Sequence, residues 1–108
     1  MKRRSVIVAL AALVAAAGCA LHAGGDFPSP DPKQITVNVT DQAALLRVFG
    51  EPYQIGLDSG DRTWRWFYAE RGIGSEASKD LTVRFNPNGT VKSYSFTSNF
   101  PDDMAKLR

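Results

Sequence analysis

The sequence predicts an α+β fold, with an N-terminal helix, or two, packed on one face of a three-stranded antiparallel sheet. Three observations predict it. Asp41 to Phe49 (DQAALLRVF) carries apolar residues at helical spacing and runs into Gly50 and Pro52. Arg62 to Glu70 and Lys79 to Phe85 alternate apolar and polar residues, the pattern of half-buried strands. Asn86-Pro87-Asn88-Gly89 has Pro and Gly where a type I turn prefers them, and it leads into a third alternating segment, Thr90 to Ser98.

Before the first of these elements the chain reads as address and tether. Lys2, Arg3 and Arg4 form a positive start, and Val6 to Ala17 is an uncharged apolar run of 12 residues. A bilayer span needs ~20, so this run fits the apolar core of an export signal over residues 1–18. It ends in Ala16-Ala17-Gly18-Cys19, and Cys19 is the single cysteine of the chain. Small residues before a cysteine at the cut point resemble the lipobox of bacterial lipoproteins, in which the thiol takes a diacylglycerol. Cys19 is therefore the expected lipid attachment point, with palmitate-type acyl chains and the membrane as first partner. Each buried methylene contributes ~0.8 kcal/mol, so two or three chains anchor stably. With Cys19 consumed, no thiol remains for a disulfide.

Charge changes meaning once the signal is set aside. The whole chain has 13 Lys and Arg against 11 Asp and Glu. Without Lys2, Arg3 and Arg4, ten basic residues face the same 11 acids, a balance of −1. Charge thus gives no ground for nucleic-acid binding. The remaining 90 residues suffice for one domain with a modest core.

Residues 19–34 carry Gly24-Gly25 and alternating Pro28, Pro30 and Pro32, so they read as an extended spacer of up to ~45 Å. His22, the one histidine, lies in it. Ala20 follows the cysteine where Asp signals inner-membrane retention in enterobacteria, which by analogy points to the outer membrane with the domain facing the periplasm. The folded domain is expected over 35–98, with 99–108 as a tail.

Ile35, Val37 and Val39 alternate with polar residues and predict a short extended lead-in. Thr40 is the expected N-cap. Leu45, Leu46 and Phe49 give the helix its buried side, Gly50 suits its C-terminal cap and Pro52 blocks continuation. Glu51 to Asp61 reads as a long loop that either binds or is plain surface, and Gly72 to Ser78 as another loop. In the first sheet strand, Trp64, Trp66 and Tyr68 are placed on the core face, because Thr63, Arg65 and Phe67 would fill a core poorly. Leu81, Val83 and Phe85 join them. If Pro87 to Gly89 form a three-residue loop, Phe85 opposes Val91. Strict alternation then sends Tyr94 and Phe96 to the other face, beside Thr82 and Arg84.

That register leaves Arg65, Phe67, Arg84, Lys92, Tyr94 and Phe96 together on a face that one helix cannot also cover. Three cations and three aromatics make a candidate partner-binding surface, unless the Pro-rich lead or the tail folds over it. Asn99 to Arg108 could supply a short helix, with Pro101 early, acids next and bases last.

Several residues also resemble a known family. Val39-Thr40 precedes the helix, and Gly50 and Pro52 follow it. Trp66-Phe67-Tyr68 lies in the first sheet strand, and Leu81, Val83, Phe85-Asn86 and Gly89 surround the hairpin. In order and approximate spacing these resemble the SmpA/OmlA domain of the BamE-type lipoproteins of the outer-membrane β-barrel assembly machine. The resemblance covers about half of the chain, from Asn38 to Val91. It implies two helices followed by a three-stranded antiparallel sheet, a protein partner in the barrel-assembly complex, and a role in membrane assembly. The chain departs from the pattern at Asn38, where the family has Gly, and in its Pro-rich stretch, where the family has its first helix.

Catalysis is tested against the inventory. With Cys19 acylated and His22 in the spacer, Ser-His and Cys-His nucleophilic sites are excluded, and so is zinc held by His and Cys. No metal or cofactor is expected. A carboxylate pair is open among Asp58, Asp61, Glu70, Glu76 and Asp80, but solvated surface acids fit these loop and strand-end positions better. The expected function is a non-catalytic outer-membrane lipoprotein, an accessory scaffold in β-barrel assembly or envelope integrity. The alternative is an envelope-tethered protein-binding or inhibitor module of the β-lactamase-inhibitor-like type.

Overall fold

The structure, a computed structural model, describes residues 21–108. The signal and Cys19 lie outside the described residues. Within them the chain is mostly β. Five antiparallel strands form one sheet: β1 (Leu21–Gly24), β2 (Gln54–Asp58), β3 (Asp61–Gly72), β4 (Ser75–Phe85) and β5 (Val91–Ser98). Two short helices accompany it, α1 (Gln42–Phe49) and α2 (Pro101–Leu107). The expected three-stranded sheet under an N-terminal helix, or two, is thus corrected to a five-stranded sheet with a helix before β2 and another after β5.

The two added strands come from segments whose composition conceals them. β2 is hairpinned to β3 through Ser59-Gly60, both at positive φ (50° and 89°). Two-residue hairpins favour that geometry, because its twist matches the strands. The expected loop 51–61 is therefore largely strand. β1 comes from the expected spacer and pairs with the other half of β3, Leu21 opposite Arg71 and Gly24 opposite Tyr68. β1 and β2 thus share one edge of β3, end to end. The expected loop 72–78 is a tight turn at Ile73-Gly74, with Gly72 and Ser75 already paired.

The lead-in at 35–39 is not a strand. Thr40 N–H donates to Thr36 O at 2.9 Å, closing a turn, and Asn38 sits at φ 68°. Asn is among the few side chains that tolerate this left-handed region, and it stands where the resembling family has Gly. The helix cap also moves by one residue. Thr40 Oγ1 is taken by Thr36 N–H at 2.9 Å, and Asp41 accepts from Ala44 N–H at 2.9 Å instead. Gly50 closes the helix at φ 80°, its N–H donating to Leu46 O.

One face of the sheet is covered. Leu45 and Phe49 of α1 pack on Trp66, Leu81, Val83, Phe85 and Val91. Trp66 Nε1 donates to Gly50 O at 3.0 Å, so the helix stop and the core indole are tied together. Trp64, Trp66 and Tyr68 take the core face expected of them. The Pro-rich lead closes the same side with Phe27, 3% exposed, and Ile35. Lys79 of β4 rises among the rings of Phe27 (4.7 Å), Phe100 (5.5 Å) and Tyr68 (5.9 Å). Its ammonium donates to Phe27 O and pairs with Asp26 at 3.0 Å. Buried Asp103 of α2 accepts from Ser29 Oγ at 2.9 Å and Ser98 Oγ at 2.6 Å, joining lead, tail and β5.

Candidate functional site

The other face has no covering layer among the described residues. Odd-numbered residues of β3 line it: Asp61, Thr63, Arg65, Phe67, Ala69 and Arg71. Cross-strand pairing sets Thr82 beside Arg65 and Arg84 beside Thr63, with Ser93 and Ser95 beyond them on β5.

Four of the six residues expected on this surface are here: Arg65, Phe67, Arg84 and Lys92. Tyr94 and Phe96 are not. The hairpin begins as expected, with Phe85 opposite Val91 and Asn86 N–H donating to Thr90 O at 2.8 Å. A β-bulge follows. Arg84 pairs with Ser93, so Lys92 is an extra residue and the side-chain alternation reverses. Tyr94 then stands opposite Val83 and Phe96 opposite Leu81, both on the core side. The physical reason is burial. Without the bulge Ser93, Ser95 and Thr97 would face the core, and two aromatics would face water. Tyr94 Oη also donates to Pro32 O at 3.3 Å, under the Pro-rich lead.

The cations of the open face are not free. Arg65 Nη2 and Nε both donate to Asp80 Oδ2, at 2.6 and 2.8 Å, while Nη1 donates to Gln54 Oε1 at 2.8 Å. The hydrogen bond to Asp80 raises the Arg65 pKa further above its ordinary value. The guanidinium also lies 4.8 Å from the Phe67 ring centre, and Tyr53 packs on that ring at 5.7 Å. Asp61 Oδ2 receives Lys92 Nζ at 2.9 Å and Arg84 Nε at 2.7 Å. Those two bonds, Lys92 first, hold the Asp61 carboxyl below the usual carboxylate range. The surface is thus an ordered ladder of ion pairs with one aromatic step, rather than a bare basic patch.

The same ladder answers the carboxylate question. Asp58 meets Arg84 at 3.4 Å, Asp61 meets Lys92 and Arg84, Asp80 meets Arg65, and Glu76 meets Arg71 at 3.1 Å. Glu70 accepts from Tyr68 Oη at 2.9 Å, a bond that pushes the Tyr68 hydroxyl pKa up, with burial adding to it. Asp58 and Asp61 share Arg84 as a partner, and Asp80, Glu76 and Glu70 each have a donor of their own. Among the described residues no cluster of three or more His, Cys, Asp or Glu side chains could hold a metal ion. Clefts at the rim of the sheet reach core side chains, Phe85 in one and Phe49 and Trp66 in another. One of about 460 Å³ lies between the Gly60 and Pro87–Gly89 turns. A smaller one of about 170 Å³, lined by Tyr53, Trp66 and Phe67, marks the break between β1 and β2.

Sequence reasoning missed Tyr53 and Gln54 as members of this surface, and left Asp80 out of the binding set although alternation puts it on the same face as Thr82 and Arg84. Compared with protein-family models, with curated proteins and with solved structures, the chain matches none.

Proposed function

We propose that the protein is a non-catalytic bacterial lipoprotein, held to the outer membrane through acylated Cys19, that binds a protein partner with the open face of its sheet. The observation that carries the binding part is one-sided cover. Both helices and the Pro-rich lead crowd onto one face, and the other keeps Tyr53, Phe67, Arg65 and Arg84 in contact with water. Aromatic residues and arginine are the residue types enriched in protein interfaces. The ion ladder fixes their positions before a partner arrives, so little side-chain freedom is lost on binding.

A place in the assembly of outer-membrane β-barrels is supported by the lipobox and by the ordered residues shared with BamE-type domains. A second reading, an inhibitor module, is favoured by the breadth of the sheet, which is four strands wide where β2 flanks β3 and so presents a wider platform than three.

Photocrosslinking in the native envelope tests the proposal. A crosslinker at Thr82, in the middle of the open face, should capture envelope protein, with barrel-assembly subunits the expected catch. A single soluble envelope enzyme as the adduct would favour the inhibitor reading. A crosslinker at Thr82 that captures nothing, while the lipidated protein sits in its membrane, would overturn the binding face.

A further inference from the structure

We propose that the arm formed by the ends of β3 and β4, tipped by Ile73, rests in the bilayer surface next to the lipid anchor. This rests on the reading of Cys19 as acylated, and adds a second membrane contact to it.

β5 ends at Ser98, opposite Lys79. The β3–β4 ribbon runs on for four more pairs, from Ala69–Ser78 to Gly72–Ser75. At ~3.3 Å per residue the arm projects about 13 Å past the end of β5, with β1 along one edge and Asn99 bonded to Ser78 and Glu76 on the other. At its tip Ile73 is 98% exposed, and Leu21 is 67% exposed beside it. An isoleucine at the end of a projecting turn buries nothing in this chain.

Chain length supplies the occupant. Leu21 pairs with Arg71, and Cys19 precedes Leu21 by two residues. Two residues reach at most ~7 Å, and paired strands lie ~5 Å apart. Cys19 is therefore within about 20 Å of Ile73, whichever way residues 19 and 20 run. A tether that short cannot let the domain stand off, and acyl chains entering a bilayer there bring the exposed isoleucine to the same surface. The contact is apolar rather than electrostatic. The arm carries Arg71, but Glu76 pairs with it at 3.1 Å and Glu70 lies beside it. The turns at Ser59–Gly60 and Pro87–Gly89 lie at the far end, about 40 Å from Ile73 along the strands. The open face then stands upright beside the membrane.

The test uses the lipidated full-length protein in vesicles of phosphatidylethanolamine and phosphatidylglycerol. Acylation leaves no other thiol, so Ile73→Cys and Ser59→Cys each accept one polarity-sensitive fluorophore. The label at 73 should shift to the blue and be quenched several-fold more by bilayer-embedded nitroxide than the label at 59, with aqueous iodide giving the reverse order. Equal iodide quenching at both positions, on protein that floats with the vesicles, overturns the arm contact and leaves the anchor standing. Mass spectrometry of the same preparation showing a free Cys19 thiol overturns both.

Discussion

Lys79 and Phe27 are 52 positions apart in sequence, and the Lys79 ammonium lies 4.7 Å from the centre of the Phe27 ring while donating to the Phe27 carbonyl. One strand residue in the middle of the domain thereby holds the segment that leads back to the anchor. Phe27 is a core residue, so Phe27→Ala is expected to cost about 3–5 kcal/mol, the range for truncating a buried aromatic. Urea denaturation measures it. A cost under 1 kcal/mol would mean that the lead lies loosely on the sheet.

The bulge at Lys92 makes a prediction about phase. Phe96→Ser should destabilise by about 2–3 kcal/mol, since it strips a partly buried aromatic from the core side, whereas Ser95→Ala should stay within about 0.5 kcal/mol as a surface change. Deleting Lys92 should be worse than either, because it would turn Ser93 and Ser95 inward. Thermal melts of the three variants rank them. A harmless Phe96→Ser would restore the unbulged register.

Acid should weaken the ion ladder in a defined direction. Lys92 and Arg84 hold the Asp61 carboxyl below its ordinary range. A carboxyl whose folded pKa is lowered adds stability that is present above its unfolded pKa, near 4, and is lost as pH falls through the folded value. Asp61→Asn removes that contribution. The variant should melt below the parent at pH 7 and approach it near pH 3. Parallel curves across that window would show that Asp61 is not coupled to its cations.

Gly24 tests how β1 is held. It sits at φ 77°, and a Cβ there would meet Phe67 O at 2.1 Å. Gly24→Ala should therefore detach β1 without unfolding the core beneath α1. Hydrogen exchange would report it. Amides of β3 near Ala69 to Arg71 should lose protection, while those near Trp64 to Trp66 keep theirs. Uniform loss of protection would mean that β1 is integral to the whole sheet.

What was legible in the sequence follows from where the physics is local. The helix 42–49 announces itself by spacing and by Gly50 and Pro52, and the Asn86–Gly89 turn by its residue types. Trp64, Trp66 and Tyr68 had to face the core, because their alternates could not fill it. β2 was hidden because all five of its residues are exposed, so Gln54 to Asp58 has no buried face to alternate with. Its one clue was Ser59-Gly60. β1 and Phe27 were hidden by glycine and proline, which exclude a helix but allow a paired edge strand. The bulge was readable in hindsight. Val91 is apolar at an odd position and Tyr94 and Phe96 at even ones, so no unbroken strand could bury all three. At the candidate surface this cost Tyr94 and Phe96, and the pairing of each cation with an acid lay beyond reach because it depends on register.

The way β1 joins the sheet governs how the protein would bear load. Leu21 lies at the arm's end and Gly24 points back toward the body, with the bonds to β3 running across the strands. A tug on the residues before Leu21, directed along the sheet, stresses those bonds together instead of peeling them one by one. Shear of this kind resists far more than unzipping does, so even four residues of strand make a firm mooring for a domain dragged by its partner.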